Sequence, residues 1–254
     1  MIPQSNGSLY TAIQNSIATI EFGHPASNSF PLELLQRLSN AFRQLSEDDT
    51  VKVIILKSEG DRMFCSGASF TALLSITNFD EGKHFFYGFA HVINAMRLCK
   101  KPIIGRIQGK TVGGGVGIVA ACDYCLATEA ASIQLSELTI GIGPFVIEPV
   151  VSKKIGDGAF ATLAWDATQW QTAYWAKEKG LFNRVFESIT ELDKETQIFA
   201  EKIASYNPQA TQQMKKIRWE GTENWDKLLL QRAEISGELI LSDFSKKSLK
   251  KFKK

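Results

Sequence analysis

Three histidines and four cysteines among 254 residues leave little from which to build a metal centre. His24, His84 and His91 all lie upstream of the one close cysteine pair, Cys122 and Cys125 in "CDYC". That pair has the spacing of half a zinc site, with no second pair to complete it, so buried structural thiols are expected instead. No disulfide framework stands out among Cys65, Cys99, Cys122 and Cys125, and "MIPQSNGSLY" has no basic stretch followed by an apolar one. The expectation is a reduced, cytoplasmic protein. No apolar run approaches the roughly 20 residues of a membrane span. Neither sign of charge dominates: 29 Lys and Arg stand against 27 Asp and Glu, a net +2 that argues against a nucleic-acid partner. The one basic run, "SKKSLKKFKK", reads as a solvated tail.

What is present is the make-up of a globular protein, 44% hydrophobic and 22% charged, long enough to bury a substantial core. "YTAIQNSIATIEFGH" alternates apolar and polar residues around "QNS" and predicts a β-hairpin. "PLELLQRLSNAFRQLSEDD" then reads as a helix opened by Pro31, and "VKVIILKSEG" as a buried strand closed by Gly60. After the loop "DRMFCSGAS" come the helical runs "FTALLSI" and "EGKHFFYGFAHVINAMRLC", followed by β-rich "KPIIGRIQG". "DYCLATEAASIQLSELTIG" holds two more short strand-like runs, and from Asp157 the pattern turns mainly helical. An α/β body over residues 1–185 and a helical region over 186–254 follow. That helical region carries Trp225, Leu228, Leu229, Leu230, Ile235, Leu239, Ile240 and Leu241, more apolar surface than a short bundle needs, which points to self-association.

The stretch "GKTVGGGVGIVAACD", residues 109–123, sets five glycines beside small apolar residues. A phosphate-binding Walker loop fails by one residue, because its first glycine would fall at Ile104. "GVGIVA" does fit the dinucleotide pattern G-x-G-x-x-A, with Glu137 as a ribose partner, but Gly113 and Gly114 stand where the strand should end. Close helix packing is a further reading. The reading that unites most of the chain joins this stretch to "MFCSGAS", another small-residue turn between a strand and a helix. Two such turns can aim two backbone N–H groups at one point, the construction of an oxyanion hole. Helix N-termini strengthen it with partial positive charge.

Together these segments resemble the crotonase (enoyl-CoA hydratase/isomerase) superfamily. "IATIEFGHPASNSF" is similar to its opening hairpin, "VKVIILKSEGDRMFCSGAS" to its first oxyanion segment, "IGRIQGKTVGGGVGIVAACDYCLAT" to its second, and "ASIQLSELTIGIGP" to its acid/base segment. The resemblance implies an α/β fold, a spiral of ββα units with a helical C-terminal oligomerisation region, assembled as a homotrimer or dimer of trimers. It implies an acyl-CoA thioester as substrate, without metal or redox cofactor. The thioester oxygen would lie between the backbone N–H groups of Ala68 and Gly114, and Ser66, Gly67 and Ala68 would border the adenine and pantetheine. Glu137 would be the general acid/base.

The pattern departs from the family at instructive places. The first of two hydratase glutamates belongs two residues after the glycine triplet, where this chain has Gly117. Phe145 stands where small residues make room for water, and Ser69 replaces an aspartate, which changes a helix cap more than the chemistry. Three outcomes stay open: hydration or dehydration of a branched or carboxylated enoyl-CoA, as in a methylglutaconyl-CoA hydratase-like subgroup; 3-to-2 double-bond isomerisation; and acyl-CoA binding without catalysis. "GGGVG" in place of that glutamate is most similar to the branched-acyl subgroup, which favours the first slightly, and the space opened by Gly117 agrees with bulk near the reacting carbon. His84, Tyr87 and His91 fall at helical spacing and are candidates for a pocket wall. Glu148 suits a helix start without catalytic duty, and Lys246, Lys247, Lys250 and Lys251 are candidates to meet CoA phosphates across a subunit boundary.

Overall fold

The computed structural model describes residues 6–251. The first five residues of the opening stretch and the last three of the basic tail lie outside the described residues. Strands β1 (Ser8–Gln14) and β2 (Ile17–Gly23) form the expected hairpin, in antiparallel register from Ser8↔Gly23 to Gln14↔Ile17. Asn15 and Ser16 have φ of 53° and 63°, the left-handed pair that lets a two-residue turn follow the strands' own twist.

Beyond helix α1 (Leu32–Glu47) the chain repeats one move. A longer strand is followed by a three-residue strand and then a helix: β3 (Val53–Ser58) and β4 (Met63–Cys65) precede α2 (Phe70–Ser75) and α3 (Phe79–Leu98). The pair β5 (Ile103–Ile107) and β6 (Lys110–Val112) precedes α4 (Gly114–Ala121). Next come β7 (Tyr124–Thr128), β8 (Ser132–Gln134) and a 3-10 turn, Glu137–Ile140. Each turn of this spiral adds one strand to each of two sheets. The large sheet has the order β1-β2-β3-β5-β7-β10 and the small one β4-β6-β8-β9, where β9 is Gln171–Thr172 and β10 is Arg184–Phe186. The fold is the α/β spiral of ββα units. Of the three-residue strands, β4 lies in a run that reads as a loop in the sequence, because only pairing with its neighbours makes it a strand, whereas β8 falls in a run that reads as strand-like.

The large sheet is covered on both faces, which is why β3 opens with four consecutive apolar residues, Val53 to Leu56. Ile54 and Leu56 join Ala18, Ile20 and Phe22 in the main core with α1 and α3. Val53 and Ile55 point the other way, to Leu192 and Ala200 of α8 (Ile189–Ala204).

Helices α5 (Glu148–Ile155), α6 (Asp157–Trp165) and α7 (Ala173–Glu178) complete the middle of the chain. Helices α9 (Pro208–Arg218), α10 (Trp225–Leu239) and α11 (Asp243–Lys251) close it. Within residues 186–254, α8 covers the sheet and α10 runs along α3, where Gly82 and Gly237 meet backbone to backbone. Trp225 and Leu229 are buried there, whereas Ile235 and Leu239 stay exposed at 39% and 36%. Arg97 of α3, itself buried, holds the contact with a 2.7 Å ion pair to Asp226 of α10. Among the described residues no helix is long and apolar enough to cross a membrane.

Candidate active site

The small sheet determines where the site lies. Strands β4, β6 and β8 are parallel neighbours, with Cys65 beside Thr111 and Thr111 beside Ile133, so their C-terminal ends share one edge. Adjacent strands stand about 4.8 Å apart. Ala68 follows the end of β4, Gly114 follows β6, and Glu137 follows β8. The spiral therefore delivers three sequence-distant residues side by side. Ser66, Gly67, Ala68, Gly114 and Glu137, all five of the expected site residues, line one cavity of about 60 Å³.

Hydrogen bonding selects which amides are free. Phe30 pairs with Ala68 as a parallel bridge: its N–H donates to the Gly67 carbonyl at 2.8 Å, and its carbonyl accepts from the Ser69 N–H at 3.0 Å. In that arrangement the N–H of Ala68 faces away from Phe30. The Gly67 N–H is engaged as well, donating to Cys65 Sγ at 3.2 Å. On the second turn the Gly113 N–H donates to the Gln134 carbonyl at 2.9 Å, and Gly114 is the first residue of α4, where an amide has no partner within its own helix. The turns touch, since a Cβ built on Gly67 would stand 3.8 Å from the Gly114 nitrogen.

Each glycine of the triplet meets a different neighbour. Gly113 has φ 53° and ψ −125°, and a Cβ there would stand 2.9 Å from Glu137 Oε1. A Cβ on Gly114 would enter the Phe89 ring, and one on Gly115 would strike Cys65 at 2.8 Å. Cys65 is fully buried and its thiol is pushed up to about 12, which makes it packing and a hydrogen-bond acceptor rather than a nucleophile.

Glu137 opens the 3-10 turn that follows β8. The residue is partly exposed, but its Oε2 is buried and has no hydrogen-bond partner. Loss of water around the carboxyl raises its pKa to about 7, against a smaller opposing effect of the residue's own backbone N–H. Phe86, Phe89, Ile140, Ile142 and Val146 supply much of the surrounding apolar wall. A carboxyl held near neutrality beside two unengaged amides is equipped to move a proton next to a carbonyl whose oxygen those amides receive.

Known proteins resemble this chain over most of its length. The family model described as Enoyl-CoA hydratase/isomerase matches residues 12–254. The chain belongs to the enoyl-CoA hydratase/isomerase family. By that membership it is an enzyme of hydratase/isomerase type. A peroxisomal Delta(3,5)-Delta(2,4)-dienoyl-CoA isomerase of Arabidopsis thaliana is 28% identical over 205 residues, covering 75% of this chain and 72% of its own. A short-chain-enoyl-CoA hydratase of Clostridium acetobutylicum is 27% identical over 242 residues, covering 94% and 92%. The crystal structure of an enoyl-CoA hydratase from Bacillus halodurans superposes with a TM-score of 0.88, covering 96% of this chain and 99% of the other. At 23% identity that last likeness is one of fold.

Against the family pattern, one sequence expectation is corrected. Gly117 opens no room for a branched acyl group: a Cβ there would lie 2.3 Å from Ile147 Cγ2, so Ile147 already occupies that space. Gly117 is buried inside α4 and does not line the cavity, whereas Ile147 does. The dinucleotide reading loses its site for the same reason, since Gly115 and Gly117 lie within the helix, packed on Cys65 and Ile147. His84, Tyr87 and His91 are not among the cavity's lining residues; Phe86 and Phe89 of the same helix are. Tyr87 instead donates to Glu234 Oε1 at 2.7 Å.

Ser69 caps α2 by accepting the Ala72 N–H, and Glu148 starts α5 within 3.9 Å of Arg232. The lysines of α11 are exposed. Cys122 and Cys125 are buried, and no metal-binding group of three or more His, Cys, Asp or Glu occurs among the described residues. Sequence reasoning missed Ser136 and Ser236, which line the cavity from the loop before the 3-10 turn and from α10.

Proposed function

We propose that the protein moves the double bond of an enoyl-CoA from the 3 to the 2 position, using Glu137 as its one acid/base. The observation that carries this reading is the buried, unpaired Oε2 of Glu137 in an apolar cavity that has no second carboxylate among its lining residues. Ionised Glu137 takes a proton from the carbon next to the thioester. The electrons left behind spread onto the thioester oxygen, which accepts hydrogen bonds from Ala68 and Gly114. Glu137 then returns the same proton to the carbon at the far end of the delocalised system, and the double bond ends in conjugation. Each amide donor is worth on the order of 3 kcal/mol of transition-state stabilisation. No metal is required, because backbone dipoles meet the developing charge. The CoA portion runs along Ser66, Gly67 and Ala68.

Hydration of a branched or carboxylated enoyl-CoA keeps the likeness of "GGGVG" to the branched-acyl subgroup but loses the argument from space, because Ile147 fills the room over Gly117. The cavity also has no Lys, Arg or His among its lining residues to meet a substrate carboxylate. We place the enzyme in the cytoplasm, in keeping with four buried free thiols. We assign it a homotrimer or dimer of trimers through residues 186–254, in keeping with Ile235 and Leu239 exposed on α10.

Incubation with a 3-enoyl-CoA is expected to give a product of unchanged mass that absorbs as a conjugated thioester. A 2-enoyl-CoA that gains the mass of water, with no migration of a 3-enoyl bond, would overturn the reading in favour of hydration. Binding of these esters with no turnover of either would favour a non-catalytic subunit. The pH dependence is a second check. Because the base must be ionised, kcat/KM should rise with pH through about 7, where the Glu137 carboxyl loses its proton. A profile flat across that range would remove Glu137 from the rate-limiting proton transfer.

A further inference from the structure

Ile147 stands at the entry to α5 with its backbone carbonyl accepting the Val151 N–H at 3.0 Å, so its main chain is fixed by the helix that follows. Its side chain, only 3% exposed, reaches back to α4 and occupies the position that a Cβ on Gly117 would take, 2.3 Å from Cγ2 and 2.6 Å from Cβ. Two residues earlier, Phe145 makes the same kind of contact: a Cβ on Gly143 would stand 2.5 Å from its Cζ. Both large side chains line the catalytic cavity, and both are anchored in spaces that glycines leave vacant. The interior volume of about 60 Å³ has room for roughly four to six water-sized groups, at ~10–15 Å³ each.

We infer that Ile147, with Gly117 as its receptacle, is the specificity-determining residue that ends the acyl pocket and restricts the enzyme to short, unbranched acyl chains. The inference rests on the proposed acyl-CoA site. How far Ile147 sinks into α4 determines how much apolar depth remains for the substrate. Two substitutions therefore act in opposite directions. Ile147→Ala removes the stopper, and the opened depth admits longer chains. Gly117→Ala adds a methyl group where Ile147 now lies, and pushes that side chain toward the cavity.

The test is calorimetric binding of saturated butyryl-, hexanoyl- and octanoyl-CoA, which cannot undergo double-bond migration and so report on the pocket without turnover. The parent protein should favour the shortest ester. Ile147→Ala should move the optimum to a longer one, with affinity gaining about fourfold per methylene newly accommodated. Gly117→Ala should weaken hexanoyl-CoA relative to butyryl-CoA. Ile147→Val, a smaller change in volume, should shift the optimum part of the way and guards against a poorly folded Ala variant. Identical chain-length profiles in the parent, Ile147→Val and Gly117→Ala proteins, with CoA-ester binding intact, would overturn the assignment of Ile147 and leave the proposed reaction standing. Failure of the parent to bind any of the esters would instead overturn the proposed reaction, and this inference with it.

Discussion

Replacing Glu137 by Gln is expected to lower turnover by about 10²–10⁴-fold, the usual contribution of a positioned acid/base, while CoA-ester binding stays nearly unchanged. The amide keeps the shape of the carboxyl and cannot accept the proton. The two backbone donors at Ala68 and Gly114 remain, so the thioester is still received. Undiminished turnover would defeat the assignment.

The same substitution should affect stability in a pH-dependent way. The Glu137 carboxyl has an unperturbed pKa of 4.5 and a folded-state pKa near 7. Between those values the folded protein holds a proton that the unfolded chain has released, so stability falls as pH rises across that window. Full ionisation costs on the order of 3 kcal/mol. The Glu137→Gln protein escapes that loss: its Tm should exceed the parent's at about pH 8 and approach it near pH 5. A Tm difference independent of pH would mean that the carboxyl is not held neutral by its surroundings.

Gly113→Ala should be nearly as damaging by a different route. Backbone at φ 53° and ψ −125° is disfavoured for any residue with a Cβ, at a cost of about 1–3 kcal/mol. The new methyl group would also stand 2.9 Å from Glu137 Oε1, so either the carboxylate or the turn must give way. Because Gly113 directly precedes the Gly114 donor, both halves of the machinery shift together. A misplacement of about 1 Å commonly costs 10²-fold, and a kcat loss of that order is expected along with a lower Tm. Measurement of both quantities decides the matter: an unchanged kcat would show that the carboxylate and the amide are positioned independently of residue 113.

The sequence revealed the site's parts more readily than their surroundings. The turns that carry Ala68 and Gly114 left a local trace, small residues between a strand and a helix, whereas Glu137 was pointed to by the resemblance of "LSELTIG" to the family's acid/base segment. Of the strands that bring the three together, β4 and β6 left almost no trace, because three residues are too few for periodicity and the pairing is entirely non-local, while β8 showed only as a short strand-like run. Gly117 was misjudged for a related reason. A missing side chain shows in the sequence, but what moves into its place does not, and Ile147 comes from another helix boundary thirty residues on. On α3, helical spacing correctly grouped His84, Tyr87 and His91, yet it could not say which side of the helix meets the cavity. Phe86 and Phe89 occupy that side.

The bridge between Phe30 and Ala68 has a broader consequence. Phe30 grips the peptide units on either side of residue 68 through main-chain atoms alone. The direction of the donor is thereby uncoupled from whatever group that residue bears. A change of side chain at residue 68, which packs on the main core, would leave in place the two main-chain bonds that aim the donor.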